Sequence, residues 1–132
     1  MALDIGVGDG ASLVPVQGEP ALYLDDDGYY WFLHPLFARL QAETGQYIDL
    51  YGDAAFAGPE LASLKRMLAE ARSLAEAQPA SWQVHVGTQT APTCRELYEP
   101  VRREALLALL DRWDEVVRRA EELNRPVVCF GD

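Results

Sequence analysis

The sequence predicts an α+β fold: a single globular domain over residues 1–132, with three amphipathic helices and a mixed, mostly antiparallel sheet of about five to seven strands. Three observations lead to this class. Three segments carry apolar residues at helical spacing, several shorter segments alternate apolar and polar residues, and a length of 132 residues is ordinary for one core. No internal repeat or linker composition divides the chain.

The first predicted elements lie before residue 46. Two short alternating segments, Leu13–Gln17 and Ala21–Leu24, are predicted as strands. The first helix follows the run Asp25–Gly28, in which an Asp serves as the N-cap, and it stops at Gly45. Its apolar face is formed by Tyr29, Phe32, Leu33, Leu36, Phe37 and Leu40. Pro35 either kinks this helix or marks a new start after a short extended segment, and the sequence leaves both alternatives open.

A strand and the second helix follow. Residues Tyr47–Tyr51 alternate as a strand does, with Ile48 and Leu50 on one side. The helix begins at Pro59, a residue favoured in the first turn, and ends before Pro79. Its stripe of apolar residues is Leu61, Leu64, Leu68, Ala71 and Ala75.

A hairpin is predicted after the second helix. Trp82–Val86 alternates in polarity, and Glu96–Glu99 is expected to return antiparallel to it. The residues from Gly87 to Thr93 form the connecting loop.

The last two elements are a helix and a strand. The helix has an apolar face formed by Leu106, Leu109, Leu110, Trp113, Val117, Ala120 and Leu123. Its opposite face carries two pairs of opposite charges at i,i+4 spacing, Asp114 with Arg118 and Glu115 with Arg119. Asn124 and Pro126 end the helix, and the continuous apolar run Val127–Phe130 is typical of a buried strand.

Composition restricts the classes of partner. The chain has 21 acidic and 11 basic residues, a formal net charge of −10, which argues against nucleic acid and anionic membranes. No apolar run reaches the ~20 residues of a membrane span, and the start has no signal-peptide pattern. Cys94 and Cys129 are too few for a disulfide framework, so we expect reduced thiols and a cytoplasmic protein. The dominance of Ala, Leu, Arg and Glu, with a single lysine, is typical of a GC-rich bacterial genome.

The negative charge is concentrated in the first half of the chain. Residues 1–60 contain ten acidic residues and only one basic residue, Arg39. Aromatic residues of the kinds that anchor protein interfaces lie in the same half. The predicted partner-binding residues are Asp26, Asp27, Tyr30, Trp31, Tyr47, Asp49, Tyr51 and Asp53. The alternative is that Pro35 shifts the helical register and Trp31 belongs to the core.

These features predict a small binding protein that docks a basic protein partner. Steering by net charge would accelerate association, and the Tyr and Trp side chains would supply affinity. The small size, the acidity and the absence of catalytic motifs are similar to the general profile of bacterial immunity proteins, which neutralise toxins. This likeness assigns no residues. A homodimer formed through a helix face is the further alternative.

The competing hypothesis is a small enzyme. The segment Asp4–Gly10 (D-I-G-V-G-D-G) resembles the glycine-rich first motif of class I S-adenosylmethionine-dependent methyltransferases, D-x-G-x-G-x-G. The resemblance implies a strand, a glycine turn that lets the cofactor approach the backbone, and a helix. Only three residues precede the segment, and residues 11–18 contain Pro15 and alternate as a strand would. This context favours a turn of an N-terminal hairpin.

Two other groups of residues are candidates for a catalytic site. Asp25–Asp27 could coordinate a hard cation together with Asp49 or Asp53, although a helix N-cap with surplus surface charge explains the same run. Cys94 and His85 could form a dyad across the hairpin, but no third orienting group is evident. The His and Cys residues lack the spacing of a zinc site. The sequence therefore assigns no catalytic residue, no cofactor and no metal.

Overall fold

The computed structural model describes residues 2–131. Within them the chain forms β1 (Ala2–Val7), β2 (Ala21–Asp25), α1 (Gly28–Thr44), β3 (Asp53–Phe56), α2 (Pro59–Glu76), β4 (Ser81–Gln89), β5 (Arg95–Arg102), α3 (Arg103–Leu123) and β6 (Val127–Gly131). The α+β class predicted from the sequence is confirmed. None of the helices in this range combines the length and the apolar character needed to cross a bilayer.

The strands form two antiparallel sheets. One has four strands in the order β2-β1-β6-β3, and the other is the hairpin of β4 and β5. The hairpin does not extend the larger sheet because it packs against α1, where the rings of Phe32 and Trp82 lie 5.2 Å apart. Its strands continue through a bulge between His85 and Gly87, so the connecting loop is shorter than predicted.

The core lies between the helices and one face of the four-stranded sheet. Alternate residues of the strands, such as Leu3, Ile5 and Leu24, are buried there. Trp113 of α3 is fully buried, with its ring centroid 6.0 Å from that of Phe37 on α1. The opposite face of this sheet, which carries Asp4 and Tyr23, receives no helix and is called the outer face below.

The N-terminal segment differs from the prediction. Ala2–Val7 is a strand that pairs with both β2 and β6, whereas Leu13–Gln17, predicted as a strand, is irregular. The segment 8–18 is a loop held to the sheet because the Gly8 N–H donates to the Pro126 carbonyl at 2.8 Å and the Val16 N–H to the Val7 carbonyl at 2.9 Å.

The first helix begins and ends where local signals place it. In α1, Asp27 Oδ1 accepts hydrogen bonds from the backbone N–H groups of Tyr29 (2.9 Å) and Tyr30 (3.4 Å), and Gly45 ends the helix at φ 80°. Pro35 lies inside this helix, which continues without interruption from Gly28 to Thr44. The new start left open by the sequence is therefore not used.

The charged face of α3 pairs with other elements. Asp114 accepts from Arg72 of α2 at 2.9 Å, and Arg119 donates to Glu19 at 2.7 Å. The predicted i,i+4 pairs, Asp114 with Arg118 and Glu115 with Arg119, are not among the ion pairs of the described residues. A long side chain reaches a neighbouring element as easily as the next turn, so helical spacing alone did not select the partner.

Candidate protein-binding surface

Most of the predicted contact residues gather at one end of the four-stranded sheet. Asp25, the last residue of β2, is opposite Ala2, and Gly131, the end of β6, is opposite Leu3. Asp53 begins β3 beside this end. The turn before β3 is tied to it because the Gly131 N–H donates to the Gly52 carbonyl at 2.9 Å. The topology thus brings together the acidic residues of two separate segments.

The first turns of α1 contribute Asp26 and Trp31. The Trp31 indole Nε1–H donates to Asp26 Oδ1 at 2.7 Å, and the indole ring is half-buried. Its centroid lies 5.1 Å from that of Tyr30 and 5.0 Å from that of His34. Trp31 is therefore neither a core residue nor free on the surface. It is fixed at the edge of the core with its polar edge held by an exposed carboxylate.

His34 connects this helix to the following loop. Its Nε2 lies 2.7 Å from the Tyr47 hydroxyl, and the two rings meet edge to face at 6.0 Å. His34 was not among the predicted contact residues. Its position three residues after Trp31 could have identified it, because residues three apart are neighbours on one helical face.

The prediction of Tyr30 as a contact residue does not fit its burial in the structure. Tyr30 is only 2% exposed, and its hydroxyl donates to the Ile48 carbonyl at 2.8 Å. Burial raises the pKa of Tyr30 well above its ordinary value, with Tyr47 and Asp49 adding to the effect. Tyr30 supports the surface from below and does not form part of it.

The segment Tyr47–Tyr51 is a loop and turn, so the predicted strand is also wrong. Its alternation arises because Ile48 and Leu50 enter the core from an irregular backbone. The neighbouring edge of β3 is blocked by the side chain of Gln46, whose Oε1 accepts from the Ala55 N–H at 3.0 Å. The expected sidedness of the segment is correct even though its secondary structure is not.

The acidic residues near this loop differ in how they are engaged. Asp49 Oδ1 accepts from the Tyr51 N–H at 3.2 Å, while Asp53 is exposed at the start of β3. Tyr51 is 58% exposed. Asp27 is committed to capping α1, and its partial burial raises the pKa of its carboxyl above the ordinary value.

We call the set Asp26, Asp27, Trp31, His34, Tyr47, Asp49, Tyr51 and Asp53 the acidic-aromatic surface. Within residues 2–131, none of its carboxylates is paired with a lysine or arginine. The cations are used elsewhere, as in Arg39 with Glu70 and Lys65 with Glu121. Its negative charge is therefore not neutralised by the chain's own basic residues.

The glycine-rich segment does not form a cofactor turn. The strand that the sequence lacked room for is present, but it runs through the motif, so Gly6 lies inside β1. A Cβ at Gly6 would lie 2.8 Å from Pro15, and one at Gly8 would lie 2.6 Å from Val128. The chain's own side chains thus occupy the space beside these glycines, and no helix follows before Gly28.

The other catalytic arrangements are not assembled either. Over the described range 2–131, no three His, Cys, Asp or Glu side chains come close enough together to hold a metal ion. His85 pairs with Glu96 rather than with Cys94, which lies in the hairpin loop. Cys129 is fully buried, which raises the pKa of its thiol to about 12.

Comparison of the chain with protein-family models, with curated proteins and with solved structures finds no match.

Proposed function

We propose that this chain is a non-catalytic binding protein that docks a basic protein partner through the acidic-aromatic surface. One observation carries the proposal. Trp31 is hydrogen-bonded to Asp26, and its ring contacts the ring of His34. His34 in turn is hydrogen-bonded to Tyr47. This aromatic strip lies among carboxylates that no lysine or arginine of the described chain neutralises.

The arrangement suits binding because the side chains of Trp31, His34 and Tyr47 are held in place before a partner arrives. Tyr30 fixes the carbonyl of Ile48, and His34 fixes the hydroxyl of Tyr47, so little rotamer freedom remains to be lost. Aromatic side chains contribute strongly at interface centres, whereas the surrounding carboxylates act on orientation and association rate. A partner with clustered arginine or lysine is the complement.

The size and acidity of the chain resemble those of bacterial immunity proteins. The specific form of this function that we propose is therefore inhibition of a bacterial toxin in the cytoplasm. An acidic protein can inhibit a cationic toxin by covering the basic surface with which that toxin holds its substrate. The alternative, a small enzyme, would need the glycine segment or the Asp cluster. Side chains of this chain closely approach Gly6 and Gly8, and within residues 2–131 the Asp side chains do not come close enough together to hold a metal ion.

The test compares two double variants that each remove one apolar side chain and one carboxylate. Trp31→Ala/Asp49→Asn alters the acidic-aromatic surface, and Leu74→Ala/Glu76→Gln alters the exposed end of α2. Each protein, checked for folding by circular dichroism, is immobilised to capture partners from lysate of the source cell. A captured protein is then purified and its Kd measured at several salt concentrations.

We expect a basic partner whose affinity falls with salt, about tenfold or more weaker for the surface variant, and unchanged for the α2 variant. Two results would contradict the proposal. One is equal affinity for both variants, and the other is that no basic protein is retained even at low salt.

A further inference from the structure

The outer face of the four-stranded sheet presents a row of aromatic and acidic side chains. In strand register, Tyr23 is opposite Asp4, Asp4 is opposite Phe130, and Phe130 is opposite Asp53. The row therefore crosses all four strands, a span of roughly 14 Å from three strand spacings. Tyr23 is 67% exposed, while Asp4 and Phe130 are half-buried. The helices lie on the other side of the sheet and leave this row uncovered.

A groove opens beside this row. The loop 8–18 folds over one end of the outer face, and together with β1 and β2 it encloses a space of about 400 Å³. Val14 and Pro15 of the loop contribute an apolar part of the lining, and Asp4 and Tyr23 of the sheet line the groove as well. The volume lies within the usual range for sites that hold a small molecule or a side chain.

The groove is preformed because its loop is anchored at its start, where the Gly8 N–H donates to the Pro126 carbonyl at 2.8 Å, and by two contacts near its end. The Val16 N–H donates to the Val7 carbonyl at 2.9 Å. At the far end, Glu19 accepts from Arg119 Nε at 2.7 Å and from its Nη2 at 3.2 Å, a two-pronged pair with α3. A partner would not have to order this loop in order to use it.

Asp4 is the carboxylate in the groove that remains available. Glu19, which also lines it, is already neutralised by Arg119. Asp4 has no hydrogen bond or ion pair with its carboxylate among the residues that the structure describes. None of the four strands of this sheet contains a lysine or an arginine. The face therefore lacks a cation of its own.

We propose that the groove receives an arginine side chain from an extended segment of the basic partner, an inference that rests on the proposed function. The guanidinium would pair with Asp4 and stack on the Tyr23 ring, and the methylene stem would lie on Val14 and Pro15. Asp53 belongs both to this row and to the acidic-aromatic surface, so one partner can cover both. The same face of a second copy of this chain is not a complement, because its strands carry Asp4, Asp25 and Asp53 and no lysine or arginine.

The experiment uses a short probe, so that the groove is tested apart from any natural partner. A six-residue capped peptide with arginine at alternate positions is titrated into the ¹⁵N-labelled full chain, and amide shifts are followed by NMR. The matched control is the same peptide with citrulline, which keeps the shape of arginine and removes its charge. Asp4→Asn, Tyr23→Ala and the remote Glu76→Gln are titrated in parallel, with urea unfolding as the check of folding.

We expect saturable shifts at Asp4, Val14 and Tyr23 with the arginine peptide and none with the citrulline peptide. Asp4→Asn should weaken binding about tenfold and Tyr23→Ala about threefold, whereas Glu76→Gln should leave the Kd unchanged. Equal behaviour of the two peptides, shifts confined to residues 46–53, or an unaltered Kd in Asp4→Asn would overturn the groove assignment. Those results would leave the proposed function standing, because it is judged by the capture of a basic protein and by Trp31→Ala/Asp49→Asn.

Discussion

Replacing Tyr30 with phenylalanine tests whether this residue supports the acidic-aromatic surface or contacts the partner. The change removes one oxygen atom and leaves the ring in the core, where its centroid lies 5.3 Å from that of Phe37. The lost hydroxyl is the donor to the Ile48 carbonyl at 2.8 Å. Because that carbonyl is in a buried contact, the variant leaves it without its partner.

The structure sets the size of the effect. A neutral buried hydrogen bond contributes about 1 kcal/mol, and an unsatisfied acceptor raises the loss to about 1–2 kcal/mol. For a chain of 132 residues this corresponds to a fall of about 3–8 °C in Tm. Ring packing is retained, so the larger cost of a cavity does not arise.

The assay is urea unfolding followed by tryptophan fluorescence, together with thermal unfolding by circular dichroism. Tyr51→Phe is the matched control, since it deletes the same atom from a ring that is 58% exposed. The Tyr51 hydroxyl has no hydrogen-bond partner within residues 2–131. We expect the control to unfold within about 0.5 kcal/mol of the wild type, as most surface substitutions do.

Equal stability of Tyr30→Phe and Tyr51→Phe would show that the Tyr30 hydroxyl does not stabilise the fold through the Ile48 carbonyl. The loop 46–52 would then not depend on Tyr30. If Tyr30→Phe were also fully stable and yet failed to bind the partner, the tyrosine hydroxyl would be a contact group, as the sequence had predicted.

Three further outcomes are expected. Asp27→Ala should lower the free energy of unfolding by about 1 kcal/mol through loss of the N-cap, whereas Asp27→Asn should retain most of it, as urea unfolding would show. Glu19→Gln should be less stable than the wild type near pH 7. Arg119 holds the pKa of Glu19 below its ordinary 4.5. The difference in unfolding free energy between Glu19→Gln and the wild type should therefore shrink and vanish as the pH is lowered below 4.5. Gly8→Val should destabilise by about 1–3 kcal/mol in thermal unfolding, because a Cβ there lies 2.6 Å from a methyl of β6, while Gly87→Val, with open space around it, should cost less.

The helices were predictable because their signals are local. Asp27 caps the N–H groups of Tyr29 and Tyr30, Gly45 adopts the left-handed φ of 80° that ends α1, and Asn124 does the same for α3 at φ 54°. The apolar stripes of α2 and α3 are buried as predicted. The hairpin of β4 and β5 was recovered for the same reason, since its two strands are close in sequence.

The strands that pair over long distances were not predictable in the same way. β1 is short and contains a glycine, and it is a strand because β2 and β6 flank it. The segment 47–51 has a strand's alternation but no strand beside it, so it forms a loop. Hydrogen bonds between paired strands define a strand. The alternation of polarity within one segment does not show which other segment, if any, pairs with it.

The structure brings most of the predicted contact residues together but buries Tyr30. Asp26, Trp31, Asp49 and Asp53 do gather at one end of the sheet, because the chain turns there after β2 and before β3. The predicted apolar face of α1 was otherwise right, since Leu33, Leu36, Phe37 and Leu40 are buried. Tyr30 was misplaced because it joins this face, three positions before Leu33, whereas Tyr29 is only half-buried.

The α+β class, the positions of the three helices and the concentration of acidic residues in the first half of the chain follow from the sequence alone. They depend on periodicity, caps and composition, which act within a few residues. Which tyrosine is buried, which arginine neutralises which acid and where a groove opens are settled only in the folded protein. Tyr30 meets Ile48 across 18 residues and Glu19 meets Arg119 across 100, so these contacts exist only once distant segments are packed together.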